Sequence, residues 1–309
     1  MKKTTILRRL LERKRILVAP GCYNALTAKI IEKAGFDAVY LSGYGISVSL
    51  LGMPDVGLAT MTEVQTVARY VANAVSIPVI ADSDTGYGNA INVMRTVREY
   101  IQTGVAAIHL EDQITPKRCG HVAGKMLVTV EEAVGKIMAA DAARKEIDPD
   151  FLIIARTDAR GAVGGGLEEA IARANAYTKA GADMAFVEAP LSAEELRKIV
   201  KEVQAPILYN VAGVSPHLLI EELEEIGVSL VIYPGVSLQA TAKAVWDLIQ
   251  AIKTKGTQAE IDFQNQMKDH PLEDFHAFAG FQEIRQIEEK FLPKADVASK
   301  YEDTIGYQP

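Results

Sequence analysis

Eight short apolar runs, each followed by a longer segment with helical spacing, constrain this chain more than any other feature. They are "ILVAP" (16–20), "DAVYLSG" (37–43), "PVIAD" (78–82), "VAAIHLE" (105–111), "FLIIART" (151–157), "DMAFVE" (183–188), "PILYN" (206–210) and "SLVIYP" (229–234). Short β-branched runs of this kind predict strands. Segments between them, such as "TEVQTVARYVANAV" and "LEEAIARANAYTKAGA", place apolar residues on one helical face. The runs are continuously apolar, as strands of a parallel sheet are when both faces are buried. Eight such units without a Pro-, Gly- or Ser-rich linker predict a (β/α)8 barrel over residues 1–255 rather than an open doubly wound sheet.

The two ends of the chain read differently. "MKKTTILRRLLERK" is basic, but Ile6, Leu7, Leu10 and Leu11 fall at helical spacing. That predicts a short amphipathic helix packed on the domain rather than a leader peptide. Residues 256–309 carry no further strand. They are expected to form a helical extension of the same domain, with Phe275, Phe278, Phe281, Ile284, Ile287 and Phe291 as an apolar stripe on one helix. Such a stripe is expected to dock on a partner subunit, as in a homo-oligomer.

The 309 residues carry a net charge of −7, which argues against nucleic-acid or acidic-membrane partners. Two cysteines make no disulfide framework and point to a reducing, cytoplasmic setting. No stretch approaches the roughly 20 apolar residues of a membrane span.

In a (β/α)8 barrel the chemistry sits at the carboxyl ends of the strands. Here those ends carry Ser42, Gly43 and Tyr44, then Asp82 and Asp84, Glu111, Arg156, Glu188 and Asn210. Loops are polar anyway, but that alone does not place acids and an arginine directly after buried runs. Asp82 and Asp84, two apart, would share a face of a strand. With Glu111 they would crowd three like charges unless a cation lies among them. Hard oxygen ligands suit Mg²⁺, or Mn²⁺. Zinc fits poorly, because no His or Cys pair has ligand spacing. His109 reads as a satisfied core residue. The glycine-rich "GAVGGGLEEA" (161–170) reads as a loop and helix start rather than a phosphate cradle.

The motifs "GMPDVG", "ADSDTGYGN", "HLEDQITPKRCGH" and "IIARTDAR", in this order, resemble the isocitrate lyase/phosphoenolpyruvate mutase superfamily. The Lys117-Arg118-Cys119-Gly120-His121 loop resembles that of its carbon–carbon lyases, which act on 2-methylisocitrate or 2,3-dimethylmalate. The resemblance implies a Mg²⁺-dependent barrel that exchanges its C-terminal helix within a dimer of dimers. It implies a metal held by Asp82, Asp84 and Glu111, and a site lined by Tyr40, Ser42, Gly43, Tyr44, Asp55, Arg156, Glu188 and Asn210. It makes residues 117–121 a lid with Cys119 as proton donor to the departing carbanion, and it gives Lys117, His121, Arg156, Glu111 and Asp55 catalytic duties beside it.

The chemistry is consistent with that. Cleaving a 2-hydroxy acid requires a base, a group that holds the new oxo acid, and an acid for the leaving carbanion. Lys117, Arg118 and His121 are expected to surround that carbanion with positive charge and to draw the Cys119 thiol pKa toward neutral. One segment departs from the resemblance. After Asn210 this chain reads "NVAGVSPHLL", without the acid that the lyases carry there. That leaves oxaloacetate hydrolysis, phosphonopyruvate or carboxyphosphonoenolpyruvate chemistry, and a non-catalytic metabolite-binding barrel as alternatives.

Overall fold

The computed structural model describes residues 1–301 and 304–309. All eight expected strands form: β1 (Leu17–Cys22), β2 (Val39–Leu41), β3 (Val79–Asp82), β4 (Ala107–Glu111), β5 (Leu152–Thr157), β6 (Met184–Val187), β7 (Ile207–Asn210) and β8 (Leu230–Tyr233). They pair in parallel and in sequence order, and β8 returns to β1 to close the barrel.

Alternation along each strand sorts its side chains into two cores. Ile80, Leu152, Ile154, Met184, Phe186, Leu208, Leu230 and Ile232 fill the barrel interior. Val79, Ala81, Ile108, Leu110, Ile153 and Ala155 pack outward against the helices. The inward set continues in step to Asp82, His109, Glu111, Arg156, Glu188 and Asn210, all buried. Apolar residues thus fill the lower layers and charged ones the top layer.

The N-terminal helix α1 (Lys3–Leu11) closes the opposite, amino end. Its Leu7 and Leu10 join the interior core, and burying a leucine contributes about 1.5–3 kcal/mol.

The chain groups into two compact units, Met1–Thr241 and Ala242–Pro309. The second is helical, and its apolar stripe does not lie on one helix. Gly280, at φ +106°, ends Phe275–Ala279 and opens Phe281–Phe291. That left-handed conformation is one glycine adopts readily and other residues resist. Phe275, Phe281, Ile284, Ile287 and Phe291 are exposed. Among the described residues no helix is long and apolar enough to cross a membrane.

Candidate active site

A cavity of about 320 Å³ opens at the carboxyl ends of the strands. Most of the candidate residues meet there. Tyr40, Ser42, Tyr44, Asp55, Asp82, Cys119, Gly120, His121, Arg156, Glu188 and Asn210 line it. Gly43 adjoins through its N–H, which donates to Asp82 Oδ2 at 3.2 Å.

Two buried cations organise the acids. Arg156, at the end of β5, donates twice to Asp158, from Nε at 2.9 Å and Nη2 at 3.1 Å. Its Nε also lies 3.3 Å from Glu111 Oε2, and its Nη2 lies 3.1 Å from Glu188 Oε2. The register that pairs Glu111 with Arg156 and Arg156 with Phe186 builds this row across three adjacent strands. Lys117 Nζ contacts Asp55 Oδ2 at 2.6 Å and Asp84 Oδ1 at 2.8 Å. Burial alone would lower the lysine pKa, but Asp84 and Glu111, with Asp82 and Asp55, hold it well above the usual range.

Asp84 does not share a strand face with Asp82. β3 ends at Asp82, and Asp84 sits in a turn at φ +47°. Burial, reinforced by Asp82 and Asp55 and opposed by Lys117, pushes its carboxyl up to about 6. Burial likewise holds Glu111 well above the ordinary carboxylate range, although Arg156 and Lys117 oppose it. Both Glu111 oxygens are buried without a hydrogen-bond partner. Among the described residues no three metal-type side chains already converge on one point. The acids instead meet through Lys117 and Arg156. As donors they still fit a divalent cation, being hard oxygens, crowded and, at Glu111, without a hydrogen bond.

The 117–121 loop is pinned from behind. Gln113, just past β4, accepts from the Arg118 N–H at 3.0 Å and donates to the Arg118 carbonyl at 2.8 Å. The Cys119 N–H donates to the Asp55 carbonyl at 3.1 Å. Gly120 passes so close to Arg156 and Glu188 that a Cβ would collide with both. His121 Nε2 lies 3.3 Å from Glu188 Oε1 and 3.3 Å from Asn210 Nδ2.

The structure corrects the expected electrostatics of this loop. Arg118 is exposed and does not line the cavity. Burial lowers the His121 pKa against the pull of Glu188, so the ring is not a standing cation. Burial also raises the Cys119 thiol, outweighing the His121 N–H, Arg156 and Lys117. The loop shelters a protonated thiol rather than drawing it toward neutral.

Four further residues contact the candidate residues. Asp158 is the bidentate partner of Arg156, and its place two residues on, on the inward parity, was a readable signal. His109 is buried as expected, but it is bonded to Tyr40 Oη at 2.7 Å and lies 3.5 Å from Asp82. Gln113, two residues past Glu111, carries the same parity signal, whereas nothing in the local sequence marked Lys125.

A family model described as phosphoenolpyruvate phosphomutase matches residues 7–253. The chain belongs to the phosphoenolpyruvate mutase/isocitrate lyase superfamily. It is 46% identical to 2,3-dimethylmalate lyase of Eubacterium barkeri, over 94% of this chain and 99% of that one. It is also 46% identical to 2-methylisocitrate lyase of Aeropyrum pernix, covering 83% and 82%. The same identity to a chloroplastic carboxyvinyl-carboxyphosphonate phosphorylmutase of Arabidopsis thaliana covers 81% and 74%. Among solved structures, a 2,3-dimethylmalate lyase superposes with a TM-score of 0.88 at 35% identity, covering 99% of both chains. A phosphonopyruvate hydrolase in complex with oxalate and Mg²⁺ superposes at 0.84 and 34%, covering 95% and 100%. Within the superfamily the chain is a carbon–carbon lyase.

Proposed function

We propose that the enzyme cleaves the C2–C3 bond of an alkyl-substituted 2-hydroxy dicarboxylic acid, of the 2,3-dimethylmalate type, to a 2-oxo acid and a carboxylic acid. The observation that carries this substrate class is the charge of the cavity. Arg156 is its standing cation, because His121 is held neutral and Arg118 lies outside. The remaining wall includes Val122, Phe186, Ala212 and Pro234. Such a wall accepts methyl groups, and the cavity offers a third carboxylate no second standing cation, only neutral donors such as Ser42 and Asn210.

Arg156 takes one substrate carboxylate by its planar fork, oriented by Asp158. Asp82, Asp84 and Glu111 would hold Mg²⁺. That ion supplies Lewis-acid polarisation of the substrate's oxygens when bound. Asp55, the cavity carboxylate paired with Lys117, accepts the hydroxyl proton. The C2–C3 electron pair leaves with C3, which takes the proton of Cys119 Sγ–H. A thiol kept protonated by burial suits that donor role. The docked loop keeps out water that would otherwise protonate the carbanion.

The test measures 2-oxo acid release from 2,3-dimethylmalate and 2-methylisocitrate, with and without EDTA. The expected result is EDTA-sensitive release with kcat/KM for the dicarboxylate about tenfold or more higher. Equal or reversed preference overturns the substrate class, and no release from either acid overturns the lyase reading. The matching phosphomutase model favours phosphonopyruvate chemistry as a second reading, and ³¹P NMR on that compound decides it.

The exposed Phe281, Ile284, Ile287 and Phe291 support a homo-oligomer in which a second copy covers them. A monomer by light scattering would remove that reading. Two free cysteines support a reducing cytoplasm.

A further inference from the structure

We propose that Lys125 is a positioning residue that latches the 117–121 loop over the site, and that the glycine-rich segment 161–166 serves to bury it.

Lys125 is only 3% exposed. Its ammonium donates to the carbonyl of Gly120, at the tip of the loop, and lies 3.5 Å from Asp158 Oδ1. Asp158 is the residue that holds Arg156 by both oxygens. One ammonium therefore ties the lid to the aspartate that orients the substrate-gripping arginine. The Asp158 N–H in turn donates to Asp112 at 3.0 Å, so the anchor belongs to the rigid barrel.

The segment after β5 completes the latch. The Val163 N–H donates to the Lys125 carbonyl at 3.0 Å. A Cβ on Gly161 would stand 3.3 Å from Lys125 Nζ. Gly166 folds back so that its N–H donates to the Ala159 carbonyl at 2.9 Å. Small residues let this segment lie directly against the ammonium and exclude water from it. A buried ammonium with charge-assisted bonds holds its partners more firmly than an exposed one. The glycine-rich stretch is thus a lid over a lysine rather than over a phosphate.

Undocking lowers the fraction of enzyme competent to bind, which raises apparent KM by the inverse of that fraction, while saturating substrate restores the docked state. The proposal rests on Cys119 acting from this loop, but one readout needs no turnover. Both cysteines are free, with Cys119 partly exposed and Cys22 fully buried. Iodoacetamide labelling of Cys119 therefore reports the loop, and Cys22 reports general loosening.

Lys125→Met is expected to speed Cys119 labelling about tenfold and leave Cys22 unlabelled. KM for 2,3-dimethylmalate should rise about tenfold with kcat within about threefold. Gly161→Ala, which crowds the ammonium without removing it, is expected to move labelling the same way by about threefold, and it serves if Lys125→Met fails to fold. Cys119 labelling within twofold of the unsubstituted enzyme in the folded variant overturns the latch. So does labelling of Cys22 in parallel, which reads as global destabilisation. Normal labelling shifts with no turnover of any acid would leave the latch standing and remove the proposed reaction.

Discussion

The two ends of the barrel both bury charge, but they settle it differently. At the amino end, Thr4 donates to Asp148 at 3.0 Å, and Arg8 donates to Asp183 at 3.1 Å and to the Asp150 carbonyl at 2.8 Å. Arg144 binds the Phe151 carbonyl at 2.9 Å and pairs with Asp141 and Asp183. At the carboxyl end the buried polar atoms without hydrogen-bond partners are His109 Nδ1, both Glu111 oxygens, His121 Nδ1, Asn210 Oδ1 and Ser215 Oγ, among the described residues. The amino end uses charge to hold α1 and the helices together. The carboxyl end instead carries buried polar atoms with no hydrogen-bond partner within the protein, the kind of departure expected at a functional site.

The largest effect belongs to the carboxyl end. Cys119→Ser should lower kcat about 10²–10⁴-fold and leave oxalate affinity within a fewfold by calorimetry. Near-normal turnover would remove the thiol from the reaction. At the amino end, Arg144→Met should cost about 3–5 kcal/mol in chemical denaturation, because Asp183 and Asp141 lose their buried partner. Its turnover per folded molecule should hardly change. If turnover fell as much as stability, the division between the ends would fail.

Glu111→Gln should behave in the opposite sense. The folded protein holds this carboxyl above its unfolded pKa, so the ionised form destabilises the fold at pH 7. The neutral amide should raise the melting temperature while lowering activity and Mg²⁺ affinity. A lower melting temperature would mean that the contact with Arg156 outweighs burial.

The smallest effect is on pH dependence. A proton-donating thiol works only below its pKa, and burial raises that value at Cys119. The alkaline limb of kcat/KM should therefore lie above the ordinary thiol value of about 8.5. A limb at or below pH 8 would contradict a sheltered thiol.

Much of this was legible in the chain. Eight apolar runs specified eight strands, because a continuously apolar run of that length has few places to go except a doubly covered parallel sheet. The parity that carries Ile80 inward carries Asp82 with it, and the same holds for Ile154 and Arg156, and for Leu208 and Asn210. Asp82, Arg156 and Asn210 could thus be placed without coordinates, since a strand's period of two is a local property.

Other features waited for the tertiary structure. The left-handed turn at Asp84 and the break at Gly280 depend on backbone angles that spacing does not reveal. Arg118, Lys117 and Lys125 look alike as basic residues of one loop region. Packing exposes the first, sinks the second among carboxylates and turns the third into a tie on Gly120. The Cys119 pKa reversed direction for the same reason. Neighbouring cations are visible in sequence, but the burial that outweighs them is a property of the assembled barrel.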